Sequence, residues 1–115
     1  MKTAQLCKSL QYYAGVTIRE WEIIRWANEG LLGEISRFKV SSPTSKQRDY
    51  TDINFERAFL LVFISKVLNL PWTKFEIAKY LDTKDKTMDS EIRLAVDKLK
   101  HKGLPRFEQI MLERG

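Results

Sequence analysis

Three charged side chains recur at a spacing of three within GVTIREWEIIRWANEGLL, from Gly15 to Leu32: Arg19, Glu22 and Arg25. On a helix that spacing gathers them on one side. An arginine forks onto the acceptor edge of guanine, and a glutamate accepts from the amino group of cytosine. Thr17 adds a hydroxyl ahead of them. A helix carrying these four residues outward can offer that side to the major groove of DNA. Four more cations, Arg37, Lys39, Lys46 and Arg48, lie in or beside the polar segment SSPTSKQ and outnumber the neighbouring acids Glu34 and Asp49. Their natural partners are backbone phosphates, which position a protein on a duplex without reading its sequence.

Other chemistry finds little to work with. The chain has one cysteine, Cys7, and one histidine, His101, which sits in the lysine-rich segment KLKHK. An internal disulfide is impossible, and neither residue has flanking partners at metal-ligand spacing. A hydrolytic triad could recruit only His101, and no glycine loop for a nucleotide phosphate is present. The expectation is a protein that is not an enzyme and has no cofactor or metal.

The elements that must position the charged residues can be read from periodicity and caps. Leu6, Leu10 and Tyr13 mark a first helix over Thr3 to Tyr13, closed by Ala14 and Gly15, with Cys7 beside its apolar face. Thr17 and Glu20 have the spacing of a capping box, so a second helix is expected from Thr17 to Gly30. Ile18, Trp21, Ile24 and Asn28 form its expected inner face. Alternation from Ile35 to Val40, the turn SSPTSKQ and the return RDY predict a β-hairpin wing carrying the four cations. A third helix is expected from Ile53 to Leu68, capped by Thr51 or Asp52. Phe55, Phe59, Phe63, Leu60, Leu61 and Ile64 make it apolar around much of its circumference, so it should be central to the core. Pro71 ends it. Thr73 and Glu76 then cap a short fourth helix bearing Phe75, Ile77, Ala78 and Leu81. The charged connector DTKDK leads to a fifth helix, Met88 to Lys102, with Asp89 or Ser90 as its cap. After Gly103 a last helix carries Phe107, Ile110 and Met111. Lys98, Lys100, Lys102 and Arg106 make that junction basic, and a solvated face is the default reading of such a run.

With 115 residues, 43% apolar and 30% charged, the composition is that of a soluble globular chain, and the net charge of +5 favours an anionic partner without identifying it. The longest apolar run, Ala58 to Ile64, is too short to cross a bilayer. MKTAQLCKSLQYY has no continuous apolar segment and does not read as a signal peptide. A cytoplasmic protein with no membrane partner is expected.

Two strings, RDYTDINFER from Arg48 to Arg57 and LPWTKFEIAKYL from Leu70 to Leu81, resemble the MerR family of DNA-binding regulators. IRWANEGLL, from Ile24 to Leu32, is similar both to the end of that family's recognition helix and to the ending of small excisionases. The resemblance implies a mainly α fold: a winged helix-turn-helix over residues 1–81, with a short helical extension over residues 82–115. It departs from the pattern in a longer second helix, in the acids Glu20, Glu22 and Glu29, and in lacking the long dimerisation helix and the cysteines of a metal sensor. The extension should fold back on the domain or form a compact homodimer contact. The function implied is that of a small bacterial, phage or mobile-element regulator that binds double-stranded DNA by sequence. Two other readings stand beside it: an excisionase-like architectural factor that bends DNA, and a module that binds another protein.

Overall fold

The computed structural model describes residues 1–37 and 48–114. Among the described residues six α-helices occur in order: α1 Thr3–Ala14, α2 Glu20–Asn28, α3 Asp52–Val62, α4 Lys74–Thr83, α5 Lys86–Asp97 and α6 Leu104–Arg114. A π-helical turn, Phe63–Val67, continues α3 directly. Its wider i to i+5 bonding appears in the Leu68 N–H donating to Phe63 O at 2.8 Å. The Ser65 hydroxyl donates to Leu61 O at 2.6 Å within the same turn.

α3 and its π turn form the axis of the core, as the breadth of their apolar surface predicts. Ala58 through Ile64 are all fully buried. Around this axis lie Leu6, Leu10 and Ala14 of α1, Ile23 and Trp26 of α2, Ile77 and Leu81 of α4, Ile92 of α5, and Phe107 and Ile110 of α6, in one continuous cluster. A column of rings runs through it. Tyr13 meets Phe55 at 5.8 Å, Phe59 stacks on Phe63 at 5.7 Å, and Phe63 stacks on Phe107 at 4.4 Å. Offset stacks of this kind add to the burial of the rings themselves. Arg106 faces inward, its guanidinium 4.6 Å from the Tyr13 centroid and 5.6 Å from that of Phe55. Its charge is held by ring faces rather than offered to solvent as part of the basic junction.

Capping decides several boundaries. The Thr51 hydroxyl accepts from the Asn54 N–H at 3.3 Å, while the Asn54 side chain accepts from the Thr51 N–H at 2.9 Å. At α4 the expected pair forms, Thr73 Oγ1 accepting from the Glu76 N–H at 3.2 Å. α5 begins earlier than the sequence predicts, because Asp85 rather than Asp89 or Ser90 accepts, from the Met88 N–H at 3.0 Å. It also ends earlier, at Asp97, where Lys98 and Leu99 donate to Ala95 O and Val96 O in a tightened last turn.

Among the described residues the β-hairpin wing of the expected winged helix-turn-helix is not seen, and the fold is mainly α. Extended pairing among the described residues amounts to Ser36 opposite Asp49 and Arg37 opposite Arg48. The returning residues have other partners: the Met1 ammonium reaches the Asp49 carboxylate at 2.9 Å and Tyr50 O at 2.6 Å, and the Tyr50 N–H donates to Met1 O at 2.8 Å. Three alternating residue pairs are a thin basis for a strand, since the period does not reveal that the amino terminus competes for the same backbone. Lys39 and Lys46 lie outside the described residues.

Candidate nucleic-acid interface

Between α1 and α2 the chain runs extended rather than helical. Gly15 ends α1 in the left-handed region at φ 71°, and residues 16–19 carry Ile18 into the core, where it is 4% exposed. α2 therefore starts at Glu20, three residues later than the Thr17 and Glu20 pairing predicts. Glu22 supplies the cap instead, accepting from the Arg19 N–H at 3.2 Å. Ile18 is buried from the segment before the helix rather than from its first turn. At the other end Gly30 takes φ 76°, and the Leu31 N–H donates to Trp26 O at 3.0 Å.

The inner face of α2 differs from the expected one. Ile23 and Trp26 are buried and Ala27 half-buried, whereas Trp21 is 57% and Ile24 36% exposed. Asn28 is exposed as well. Trp21, Ile24, Arg25 and Asn28 thus share the outer side of the helix.

The four sequence-predicted residues of this helix have different settings. Thr17 is exposed on the extended segment, and Arg19 is exposed at the cap. Glu22 is half-buried, with one oxygen engaged by the Arg19 N–H. Arg25 projects outward with 67% of its side chain exposed, and its Nε donates to Glu29 Oε1 at 3.2 Å. Of the other four, Arg37 and Arg48 are brought opposite one another in backbone register. The structure thus places Glu22 and Arg25 on α2 and Arg19 at its cap, with Arg25 alone of the three on the outer side of the helix, and leaves Arg37 and Arg48 on a separate short pairing.

That element is fixed from behind by residues that periodicity does not single out for the purpose. Asn54 of α3 has no exposed surface, and its amide nitrogen donates to Leu32 O at 2.6 Å and Glu34 O at 2.8 Å. Arg57 donates to Leu31 O at 3.0 Å and pairs with Asp82 at 2.9 Å. Together they tie the segment after α2 to α3 and α4. The signal in the sequence is a polar residue on the apolar side of α3, legible as an oddity but not as a clamp.

Elsewhere a groove of about 870 Å³ lies between α4, α5 and α6, floored by Ile92, Val96, Phe107 and Met111. Of the carboxylates that line it, Asp89 accepts from the Tyr80 hydroxyl at 2.8 Å and pairs with Arg93 at 3.0 Å, so it is engaged rather than poised as a base. Burial pushes the Cys7 thiol above its ordinary range, and the carboxylates of Glu20 and Glu22 push it further in the same direction. An activated nucleophile requires the opposite shift. Among the described residues no group of three or more His, Cys, Asp or Glu side chains is placed to hold a metal ion. No described helix is long and apolar enough to cross a membrane. Comparison with known proteins finds no matching family model, curated protein or solved structure.

Proposed function

We propose that this chain is a sequence-specific binder of double-stranded DNA acting in gene regulation, with the outer side of α2 as its reading surface. The observation that carries the reading is the projection of Arg25 from a short helix whose opposite side is anchored by Ile23 and Trp26, with Arg19 exposed at the cap of the same helix. A rigidly backed helix with outward arginines suits bidentate contact to guanine. The strings that resemble the MerR family support the same function without requiring its wing. Arg37, Lys39, Lys46 and Arg48 then serve as phosphate contacts. One neutralised phosphate each corresponds to a slope of log affinity against log salt of about −3.6. The test is selection of duplexes from a random pool, followed by titration of wild type and Arg25→Ala on selected and random DNA. Arg25→Ala is expected to lower affinity for the selected duplex about tenfold or more, by losing roughly 1–3 kcal/mol of base discrimination, and to leave random DNA nearly unaffected. Equal loss on both duplexes would remove Arg25 from the reading set, and no duplex affinity in the wild type would remove the function.

A second reading has its own observation. Trp21 and Ile24 are exposed on the same side of α2, beside Glu20 and Glu29, and exposed tryptophan is a common anchor of protein interfaces. A protein partner captured stoichiometrically after nuclease treatment, by wild type but not by Trp21→Ala, with no duplex affinity, would favour that reading.

A further inference from the structure

Lys98, Lys100 and Lys102 fall within five residues of one another, with no acid between Lys98 and Arg106. All three are exposed, and none makes an ion pair with a described residue. Four arginines are differently placed: Arg25, Arg57 and Arg93 each have a carboxylate partner, and Arg106 lies over aromatic rings.

The loop that carries the lysines is seated on the turn that opens α2. Gly103 lies so close to the end of α1 that a methyl group there would come within 2.7 Å of Tyr13 O and 3.4 Å of Ala14 Cα. A methyl group on Gly15 would likewise approach Lys102 Cε at 3.1 Å and the His101 ring at 3.5 Å. Buried and hydrogen-bonded groups hold the loop in place. His101 Nδ1 accepts from the Gly103 N–H at 3.0 Å, its ring meets the Phe63 edge at 5.9 Å, and the Leu104 N–H donates to His101 O at 3.1 Å. Lys102 thus lies beside the α1–α2 turn, and Lys98 and Lys100 precede it on the same short connection from the end of α5, whose backbone is held in place.

We infer that the Lys98 to Lys102 loop is a second phosphate-binding surface, gripping the sugar–phosphate backbone of double-stranded DNA beside the turn from α1 to α2. The inference rests on the proposed DNA binding and deepens it. Ammonium groups act as point charges, without the planar fork that reads a base edge, so the loop should add affinity and salt sensitivity but no sequence preference. The surface is contributed by the helical extension, so the extension would take part in DNA binding.

The test compares wild type with the triple variant Lys98→Gln, Lys100→Gln, Lys102→Gln, on a labelled random duplex and on the duplex selected by wild type, across a salt series. The triple variant is expected to show a salt slope about 2.7 shallower, about 0.9 for each lysine. It should also lose affinity equally on both duplexes, leaving their ratio unchanged. Conversion of the same three positions to arginine should restore the slope. If the triple glutamine variant does not fold, as judged by circular dichroism, each single variant should lower the slope by about 0.9. Lysines near the end of α5 also complement its dipole. An unchanged slope accompanied by a lower melting temperature would assign them that role alone and overturn the inference while leaving the proposed function standing. Absence of wild-type binding to any duplex would overturn both.

Discussion

Asn54 is where a single side chain holds most. It completes the cap of α3 through Thr51 and also satisfies the carbonyls of Leu32 and Glu34 from a position with no exposed surface. Truncation strands partners that water cannot easily reach, and such stranding costs about 1–3 kcal/mol. Asn54→Ala is therefore expected to lower stability in urea by about 2–3 kcal/mol, whereas a loss below about 0.5 kcal/mol would show the clamp to be incidental. Cys7 makes a different prediction. Its folded-state thiol lies above the ordinary 9.0, chiefly because burial disfavours the thiolate, with Glu20 and Glu22 adding to the effect. A group whose pKa is raised on folding stabilises the fold below its unfolded pKa, and that stabilisation is lost as pH rises through the folded value. At pH 8 the native thiol should react with a disulfide reagent more slowly than the urea-unfolded chain does, and Cys7→Ala should flatten the fall in stability above pH 9. Equal rates in the two states would contradict the burial assigned to Cys7.

At the scale of the element, α2 shows why a helix is easier to predict than its orientation. EWEIIRWAN holds two apolar sets at helical spacing: Trp21 with Ile24, and Ile23 with Trp26 and Ala27. Either can face a core, so periodicity alone leaves the choice between them open. In the fold the second set faces the core, together with the buried Ile18 of the segment that leads into the helix. Paired substitutions read this directly. Ile23→Ala should cost about 2–5 kcal/mol by loss of buried volume. Ile24→Ala, at a site 36% exposed, should cost under about 1 kcal/mol. The reverse order in thermal unfolding would mean that α2 is turned the other way, and the assignment of Arg25 to the outer side would fall with it.

Across the whole molecule, the column from Tyr13 to Phe107 joins α1, α3 with its π turn, and α6. Phe107 is 2% exposed and stacks on Phe63 at 4.4 Å, so the helices beyond Leu81 share their interior with the residues before it. Phe107→Ala should lower stability by about 3–5 kcal/mol, and the loss should extend to slow-exchanging amides of α3 as well as those of α6. A chain cut after Leu81 would expose the Phe63 ring and should lose cooperative unfolding. A sharp two-state transition in that fragment would show that residues 1–81 fold independently of the extension.

The residues alone determined whatever depends on local chemistry: the cap at Thr73, a cap of α3 at Thr51 or Asp52, the glycines that end α1 and α2, the interruption before Pro71, and the burial of Phe55 and of Ala58 through Ile64. Each is settled within one or two helical turns, and their residue types leave few alternatives. Tertiary structure decided whatever depends on competition between distant groups. Met1 engages Asp49 and Tyr50, Ile18 is buried from the segment before α2, Arg106 turns inward onto aromatic faces, and the Lys98 to Lys102 loop comes to rest against Gly15. The physical reason is that backbone bonding and burial are satisfied globally. A segment that could pair, cap or hide in two ways adopts the arrangement its neighbours complete, and those neighbours are dozens of residues away.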